Sequence, residues 1–346
     1  MTNIIGWDIG GAHVKAARVD DGRVTGVVQI ACPLWQGMDN LDATVARALD
    51  ALGATGPDHR HAVTMTGEMV DLFESRAAGV AAIANRLAAR LPGTMTLYAG
   101  RTGWVAPADA AAHADDIASA NWLATAAWIA TLRPQALLVD IGSTTSDLIV
   151  INRGVASTSR SDADRLISGE LVYAGVVRTP LMALAPAIEF RGRRHRLMAE
   201  HFATTADVWR LLDLLPDDAD QYPSADGGPK TPEASARRIA RMIGRDLDEG
   251  TLDDWRELAA AFADAQIDAL VEATNGLPGL AALRPDAPVI CAGAGLFVAD
   301  HLAQALDRPS IELHELLAAR ADGCAHEAGV CAPAVAVALL AAEPMQ

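Results

Sequence analysis

Lysine is nearly absent from this sequence, and positive charge as a whole is scarce. The 346 residues include 28 lysines and arginines against 44 acidic residues, which gives a formal net charge of -16. The only lysines are Lys15 and Lys230. Nucleic acids and anionic membrane surfaces are bound through clustered cations. We therefore expect neither a nucleic acid nor a membrane among the partners of this protein.

Cysteines and long hydrophobic runs are also scarce. Four cysteines, widely spaced in so long a chain, do not make a disulfide framework and predict reduced thiols in the cytoplasm. The N-terminus lacks the cationic and apolar regions of a secretion signal. No uncharged apolar run reaches the roughly 18 residues needed to cross a membrane. The most apolar segment, residues 332–342, has the length of a buried helix.

Aromatic residues make up 4% of a chain that is 51% hydrophobic. The core must therefore consist mainly of alanine, valine, leucine and isoleucine. A chain of this length usually forms two domains. Short β-type runs alternate with segments of helical periodicity along the sequence, which predicts an α/β fold.

One pattern occurs twice along the chain. A buried strand ends in Asp8 and continues into two glycines, and a second buried strand ends in Asp140 and continues into Gly-Ser-Thr-Thr. A further strand follows each motif. The repeat predicts two related domains, residues 1–133 and 134–346, the second with a helical insertion over about residues 160–275. We expect the helix over residues 332–342 to pack back on the first domain.

Two other segments are predicted from local pattern. Residues 117–132, rich in alanine, tryptophan and leucine and followed by Arg133-Pro134, are predicted to form one helix. Residues 216–232 are rich in proline, glycine and aspartate, and they are predicted to form a long loop. Long loops often carry function, so this one is a candidate binding loop.

Both aspartate motifs suit a site for phosphate and a metal ion. Glycine lets backbone N–H groups approach anionic oxygens, hydroxyl groups add donors, and a carboxylate holds hydrated Mg2+ that bridges phosphates. We therefore expect Asp8 and Asp140 to be ligands of Mg2+. The residues expected around the phosphates are Gly10, Gly11, Ser143, Thr144 and Thr145, with Gly293 and Gly295 in a third glycine turn. One Asp-x-Gly motif would be an ordinary turn as often as a site, but its repetition favours a site.

These motifs resemble those of the actin, sugar kinase and heat-shock ATPase superfamily. Its two phosphate elements resemble Asp8–Lys15 and Asp140–Asp147, and its adenosine element resembles Gly293–Gly295. Its two connecting helices resemble residues 121–130 and 332–341. The resemblance implies two ribonuclease-H-like domains around a central cleft.

More narrowly, the chain resembles the hydantoinase/oxoprolinase-related proteins of tetrahydromethanopterin-linked one-carbon transfer, whose characterised archaeal members are methanofuran-biosynthesis synthases. The blocks that carry this resemblance are Gly6–Ala17, Val139–Asp147, Gly169–Gly175, Arg178–Pro180, Phe202–Val208, Ala225–Gly227 and Cys331–Pro333. The resemblance implies a transferase that joins an aminomethylfuran-methyl diphosphate to the phenol of a gamma-glutamyl-tyramine or tyrosine-type acceptor. Diphosphate would leave, Mg2+ would be the cofactor, and the partners would be small molecules. The oligomeric state stays open, a homo-oligomer included.

Such a reaction needs a base for the phenol, and Glu68 is the candidate. It follows a short strand of the first domain and could face the cleft. The alternative is an ordinary carboxylate at a helix N-terminus, stabilised by the helix dipole. Glu170 is expected to contact substrate, because it lies in a block that resembles a substrate-side element of the family.

The reaction also needs cations on the leaving oxygens. Lys15 lies in the first hairpin and could reach the phosphates, the alternative being a surface lysine. Arg178, Lys230 and Arg237 lie in or beside the family-like blocks and the long loop. For each of these three, the alternative is a solvated surface residue.

Two other functions stay open at this point. An ATP-dependent small-molecule kinase would use the same glycine turns for a nucleotide, and a non-catalytic nucleotide sensor would not need Glu68. The sequence assigns no role to His13, where the family usually has a small polar residue. Cys324, His326 and Cys331 include metal-ligand types, but we expect buried thiols there and no zinc site.

Overall fold

The computed structural model describes residues 3–159 and 161–343. The chain forms two compact units, each built from more than one segment. The first unit contains the residues up to Ala136, Ile149–Arg165 and the residues from Ile311 onward. The second unit contains Leu137–Leu148 and Leu166–Ser310.

The first sheet has six strands. They are β1 (Asn3–Ile9), β2 (His13–Asp20), β3 (Arg23–Ala31), β4 (Arg60–Met65), β5 (Thr94–Tyr98) and β6 (Trp104–Val105). Their order across the sheet is β3-β2-β1-β4-β5-β6. Strands β3, β2 and β1 are antiparallel neighbours, whereas β1, β4 and β5 are parallel.

The second sheet has five strands and repeats the order of the first. They are β7 (Gln135–Ile141), β8 (Ser146–Asn152), β9 (Leu171–Val172), β12 (Val289–Ala292) and β13 (Ser310–Glu312). The order β9-β8-β7-β12-β13 corresponds to β3-β2-β1-β4-β5 of the first sheet, and β12 is parallel to β7 as β4 is to β1. The two halves of this α/β fold therefore share one topology.

Helices accompany both sheets. In the first unit they are α1 (Met38–Ala51), α2 (Arg76–Arg90), α3 (Ala114–Ile117), α4 (Asn121–Leu132), α11 (Leu313–Leu317), α12 (Ala325–Val330) and α13 (Ala332–Ala342). α5 (Asp162–Ser168) runs from the first unit into the second. The second unit adds α6 (Leu181–Leu184), the hairpin of β10 (Ala187–Phe190) and β11 (Arg193–Arg196), α7 (Thr205–Leu211), α8 (Pro232–Met242), α9 (Leu252–Asn275) and α10 (Leu296–Ala305). None of the helices in the described residues is long and apolar enough to cross a membrane.

Strand β1 is buried, and its successive side chains point to opposite faces of the sheet, each covered by different elements. Ile5, Trp7 and Ile9 belong to the hydrophobic core that also contains residues of α1 and α2. Gly6 and Asp8 therefore point to the opposite face, where α13 packs on β1. Asp8 thus lies on the face of the first sheet on which α13 packs.

The contact between α13 and β1 depends on the absence of a side chain at position 6. A Cβ built on Gly6 would lie 2.0 Å from the carbonyl oxygen of Ala334 and 2.8 Å from the Cβ of Ala338. The helix is rich in alanine and almost entirely buried, so its backbone can approach the strand closely. It also packs on α4 and β2, and it therefore belongs to the first unit.

The prediction of one helix over residues 117–132 is wrong at its start. The structure has the short helix α3, which ends at Ile117, and then α4, which begins at Asn121. Between them Ala118 pairs with Met65 in a parallel bridge beside β4, and Ser119 has a φ of +50°. A residue in the left-handed region interrupts a right-handed helix. The tertiary contact with β4 therefore overrides the helical periodicity of this segment.

Replacing Gly6 with alanine should destabilise the protein by at least about 2 kcal/mol, because the added Cβ meets a backbone oxygen that cannot rotate away. Gly56 is the matched control, since a Cβ there would meet nothing within 4 Å. Gly56→Ala should change the free energy of unfolding by less than about 0.5 kcal/mol. Urea unfolding of both variants measures the difference, and equal stability of the two would contradict the proposed packing of α13.

Candidate active site

The first aspartate motif forms the turn between β1 and β2. Asp8, the penultimate residue of β1, is 7% exposed. The N–H of Gly10 donates to the carbonyl of His13 at 2.9 Å, which closes the turn. The turn is anchored to the chain after β3, because the N–H of Cys32 donates to the carbonyl of Ala12 at 2.8 Å. Asp8 therefore sits in a fixed turn with little access to water.

Lys15 lies opposite Asp8 in the pairing of β1 with β2, so the two side chains are on the same face of the sheet. The Lys15 ammonium donates to the carbonyl of Val330 at 2.9 Å. Val330 is the last residue of α12, where free carbonyls favour a cation. Lys15 thus has a partner within the protein, and its contact with phosphates stays a prediction.

The second aspartate motif repeats this geometry. Asp140, the penultimate residue of β7, is 9% exposed. The N–H of Gly142 donates to the carbonyl of Thr145 at 2.8 Å, the equivalent of the Gly10 bond in the first turn. Asp8 and Asp140 therefore occupy equivalent positions in two units with the same strand order.

The segment that follows β9 braces the second turn. The N–H of Gly175 donates to the carbonyl of Thr144 at 3.0 Å, and the N–H of Arg178 donates to the carbonyl of Ser143 at 2.8 Å. A Cβ on Gly175 would lie 2.4 Å from the backbone nitrogen of Thr144, so only glycine permits this approach. The exposed side chain of Arg178 has its guanidinium carbon 6.0 Å from the centre of the Tyr222 ring.

The third glycine turn also packs against Asp140. The N–H of Gly295 donates to the carbonyl of Ile141 at 2.8 Å. Gly293 has a φ of +82°, and a Cβ there would lie 2.5 Å from Oδ1 of Asp140. The third glycine turn therefore packs against Asp140, and the segment at Gly175 packs against the second turn at Ser143 and Thr144.

Glu68 lies at the same edge of the first sheet as Asp8. Strands β1 and β4 run parallel, and the N–H of Thr66, just after β4, donates to the carbonyl of Ile9 at 2.9 Å. Glu68 follows in the 3-10 turn Gly67–Met69 and is 1% exposed. Two adjacent strand ends of the first unit therefore carry one buried carboxyl group each.

Four side chains of the first unit form a hydrogen-bonded group that we call the Glu68 cluster: Glu68, Arg76, Ser119 and Asp162. Oε1 of Glu68 accepts from Nη2 of Arg76 at 3.0 Å and lies 2.9 Å from the Ser119 hydroxyl. The same hydroxyl lies 2.9 Å from Oδ2 of Asp162, and Nη2 of Arg76 lies 3.2 Å from that oxygen. Arg76 also donates to the Ser119 hydroxyl at 2.7 Å. Two carboxyl groups thus share one arginine and one serine.

Burial raises the pKa of Glu68 above its ordinary value, although hydrogen bonds from Ser119 and Arg76 and the charge of Arg76 act in the opposite direction. Its second oxygen, Oε2, is buried without a hydrogen-bond partner among the described residues. A raised pKa suits a group that exchanges a proton near neutral pH. The alternative, a carboxylate at a helix N-terminus, stays open, because Glu68 lies in the first turn of the 3-10 helix Gly67–Met69. The following helix, α2, is capped by Ser75, which accepts from the N–H of Ala78 at 3.2 Å.

A cavity of about 160 Å3 adjoins the Glu68 cluster within the first unit. Ser119 and Asp162, both buried, form its floor, and Trp122 lines its wall. Arg101 and Asp116, both exposed, lie at its rim. The cavity therefore leads from the protein surface to the carboxyl group of Asp162.

The predicted loop over residues 216–232 contains neither helix nor strand until α8 begins at Pro232. Arg238 of α8 is fully buried and anchors the loop. It donates to Oδ1 of Asp207 at 2.8 Å and to Oδ1 of Asp226 at 3.0 Å. Two of the family-like blocks, those that contain Asp207 and Asp226, therefore meet at one arginine.

Three other predicted contacts of the substrate have protein partners in the second unit. Nζ of Lys230 lies 3.1 Å from a carboxylate oxygen of Asp220, and Nη2 of Arg237 lies 3.5 Å from one of Asp226. Glu170 is 3% exposed and accepts from Ser168 at 2.9 Å. Their roles toward substrate stay predictions.

The residues left without a role lie at the first sheet. His13 begins β2 and is 9% exposed. The thiols of Cys324 and Cys331 approach the carbonyls of Val24 and Val28 at 3.7 and 3.9 Å, and the His326 ring centre is 5.9 Å from that of His314. Across residues 3–159 and 161–343, no three histidine, cysteine or acidic side chains are grouped so that they could hold a metal ion by themselves.

Sequence reasoning missed Arg76, Ser119, Asp162 and Gly175. Gly175 ends one of the family-like blocks, so a signal was available for it. The other three had none, because Ser119 lay inside an apparently continuous helix and Arg76 and Asp162 lay in ordinary polar stretches. Only the packing of distant segments brings these three side chains to Glu68.

Comparison with solved structures defines the class of fold. The nucleotide-free structure of acetone carboxylase, an ATP-dependent enzyme, matches this chain with a TM-score of 0.59 at 11% sequence identity. The match covers 97% of this chain and 70% of that chain. Together with the repeated strand order, the match shows the predicted class of fold, α/β with two ribonuclease-H-like halves.

Within that class, the chain belongs to the hydantoinase/oxoprolinase family, whose model matches residues 59–343. It is 30% identical over 244 residues to the (4-{4-[2-(gamma-L-glutamylamino)ethyl]phenoxymethyl}furan-2-yl)methanamine synthase of Methanocaldococcus jannaschii, a match that covers 70% of this chain and 72% of the relative. It is 34% identical over 136 residues to the synthase of the same name from Methanococcus vannielii, covering 39% of this chain and 61% of that protein. The family resemblance of the sequence blocks is thereby confirmed.

Replacing Glu68 with glutamine should change how stability depends on pH. Because the pKa of Glu68 is raised in the folded state, wild type should lose stability relative to Glu68→Gln as the pH rises from the ordinary range of glutamate through the folded pKa. Below that range the relative stability of the two proteins should be constant. Urea unfolding of both proteins at several pH values between about 4 and 8 checks this. A difference in unfolding free energy that is the same at every pH would contradict it.

Proposed function

We propose that this protein is a synthase of methanofuran-type cofactor biosynthesis. It joins an aminomethylfuran-methyl diphosphate to the phenol of a gamma-glutamyl-tyramine or tyrosine-type acceptor and releases diphosphate. The observation that carries the proposal is the 30% identity over 244 residues to the Methanocaldococcus jannaschii synthase. The name of that relative describes an aryl ether, a phenoxymethyl group on a furan that also bears a methanamine.

The carboxyl groups available suit Mg2+ as the cofactor. Asp8 and Asp140 are hard oxygen donors at equivalent strand ends, and the hydroxyl groups of Ser143, Thr144 and Thr145 lie in the second turn. Mg2+ in enzymes is commonly held by one or two carboxylates, with water and substrate phosphates completing its coordination. When bound, Mg2+ would neutralise negative charge on the leaving diphosphate.

The glycine turns support the binding of diphosphate. Gly10 and Gly142 each close a turn beside a buried aspartate, and Gly293 lets the backbone pass within contact distance of Asp140. Tight glycine turns present backbone N–H groups to anionic oxygens. Arg178 is a candidate for the cation beside the leaving group, because its backbone N–H donates to Ser143 in the second turn.

Glu68 is the proposed base. In the reaction the phenol oxygen attacks the methylene carbon on the furan ring, the bond from that carbon to the diphosphate oxygen breaks, and the phenol proton passes to the Glu68 carboxylate. The furan ring stabilises positive charge on the methylene carbon as the bond loosens. Glu68 is 1% exposed, so bulk water has little access to the base. Its raised pKa lets it accept a proton from a phenol more readily than an exposed glutamate would.

The assay for this function contains the furan diphosphate, the phenolic acceptor and Mg2+ without any nucleotide. We expect diphosphate release that requires both substrates, and mass spectrometry should detect the ether product. Glu68→Gln should slow the coupled step more than it weakens binding of the furan diphosphate. Product that forms only with ATP, or ATP consumption with an alcohol while the furan diphosphate is untouched, would favour a kinase instead.

Asp8→Asn and Asp140→Asn should each lower turnover at least about a hundredfold, because each removes a charge that would hold Mg2+ against the diphosphate. Asp21→Asn is the matched control. Asp21 is exposed in the turn after β2, and its φ of +49° is one that asparagine adopts readily. This control should retain full turnover, whereas full turnover of either strand-end variant would exclude that aspartate as a metal ligand.

A further inference from the structure

The Glu68 cluster holds more acceptors around Ser119 than its hydroxyl hydrogen can serve. A serine hydroxyl has one hydrogen to donate. It lies 2.9 Å from an oxygen of Glu68 and 2.9 Å from an oxygen of Asp162. The bond to Arg76 does not relieve this, since the guanidinium donates to the hydroxyl. One of the two carboxyl groups must therefore donate a hydrogen to Ser119 if both short distances are hydrogen bonds.

The two ends of this arrangement differ in their access to water. Glu68 is 1% exposed and does not line the cavity of the first unit. Ser119 and Asp162 do line it, and they form its buried floor. A proton on Glu68 therefore has a continuous path through the Ser119 hydroxyl to Asp162, and from there to the water that such a polar cavity admits.

We propose that Glu68 and Asp162 share one proton through Ser119, and that Asp162 delivers the proton taken from the substrate to the cavity. This inference rests on the proposed function, in which Glu68 is the base. The proton bound to Oε1 of Glu68 passes to Oγ of Ser119 while the Ser119 hydrogen passes to Oδ2 of Asp162. Asp162 then releases a proton to water, and Glu68 is again a carboxylate. No electrons are transferred in this relay.

The surrounding charges suit this role. Arg76 of α2 contacts both carboxyl groups, so it compensates negative charge whichever of them holds the proton. Nη1 of Arg165 on α5 lies 3.6 Å from Oδ1 of Asp162, and its guanidinium carbon lies 4.4 Å from the centre of the Trp122 ring. Among the described residues, the other charged groups that line the cavity are Asp115, Asp116 and Arg101.

Ser119 is held in a conformation that places its hydroxyl between the two acids. Its φ of +50° lies in the left-handed region, which glycine adopts without strain. Ser119→Gly therefore removes the hydroxyl without opposing the backbone. Asp162→Asn keeps an oxygen for Arg76 but cannot take up a proton. These two variants therefore test proton transfer while leaving the fold in place.

The first measurement needs no substrate. Infrared difference spectra between wild type and Glu68→Gln isolate the band of the protonated Glu68 carboxyl, and its intensity is followed against pH. In Asp162→Asn the loss of a neighbouring negative charge should move the midpoint of this band to lower pH. An unchanged midpoint would overturn the shared proton, because two carboxyl groups that share a proton cannot titrate independently of each other.

The second measurement is turnover. Asp162→Asn and Ser119→Gly should each lower kcat at least about tenfold while KM changes less than about twofold, and the double variant should resemble the singles. Asp116→Asn is the matched control. Asp116 lines the same cavity but accepts from Thr102 at 2.8 Å and has no bond to the cluster, so kcat should stay within about twofold of wild type.

The outcomes are distinguishable. Wild-type kcat in both Asp162→Asn and Ser119→Gly would overturn the relay. Absence of ether product from the wild-type protein would overturn the proposed function and, with it, the relay as a step of that reaction. The infrared titration would still decide whether the two carboxyl groups share a proton.

Discussion

Two backbone hydrogen bonds, from Gly10 to His13 in the first unit and from Gly142 to Thr145 in the second, set the geometry of the turns beside Asp8 and Asp140. Each bond closes a turn directly after a buried strand. The penultimate residue of each strand is an aspartate with little exposure to water. A buried carboxylate is unfavourable unless donors or a cation balance it. Beside the second of these aspartates, the backbone at Gly293 packs against Asp140 itself and the backbone at Gly175 packs against the turn at Ser143 and Thr144.

The Glu68 cluster buries an acidic side chain in a different way from the aspartate turns, by hydrogen bonds to other side chains. In the proposed function the strand-end aspartates hold a cation beside their glycine turns, whereas Glu68 is buried against Arg76 and Ser119, and burial raises its pKa. Different environments let carboxyl groups of one protein take different roles, one holding a metal ion and another moving a proton. In the proposed reaction both tasks are needed at once, since charge must leave on the diphosphate while a proton leaves the phenol.

The fold itself does not decide between these chemistries. The acetone carboxylase structure shares the architecture at 11% identity, and superfamilies of this kind host unrelated reactions. Several cations that the sequence placed near the diphosphate have protein partners, as Lys15 has with Val330 and Lys230 with Asp220. The contacts of these cations with the proposed substrate therefore stay predictions.

The sequence by itself determined the repeated strand-turn-strand motif, the α/β class, the family and the positions of Asp8, Asp140 and the glycine turns. These are local features, since an aspartate at a strand end and the glycine that closes its turn are separated by two positions. The sequence named Glu68 as a candidate base, but it did not predict the side chains that surround Glu68. Ser119 was predicted inside a helix, because helical periodicity continues through residues 117–132, and only the bridge from Ala118 to Met65 breaks it. Arg76, Ser119 and Asp162 are far from Glu68 along the chain, and no local pattern brings them together. The tertiary structure alone therefore decided that Glu68 is buried and which groups lie within hydrogen-bond distance in its cluster.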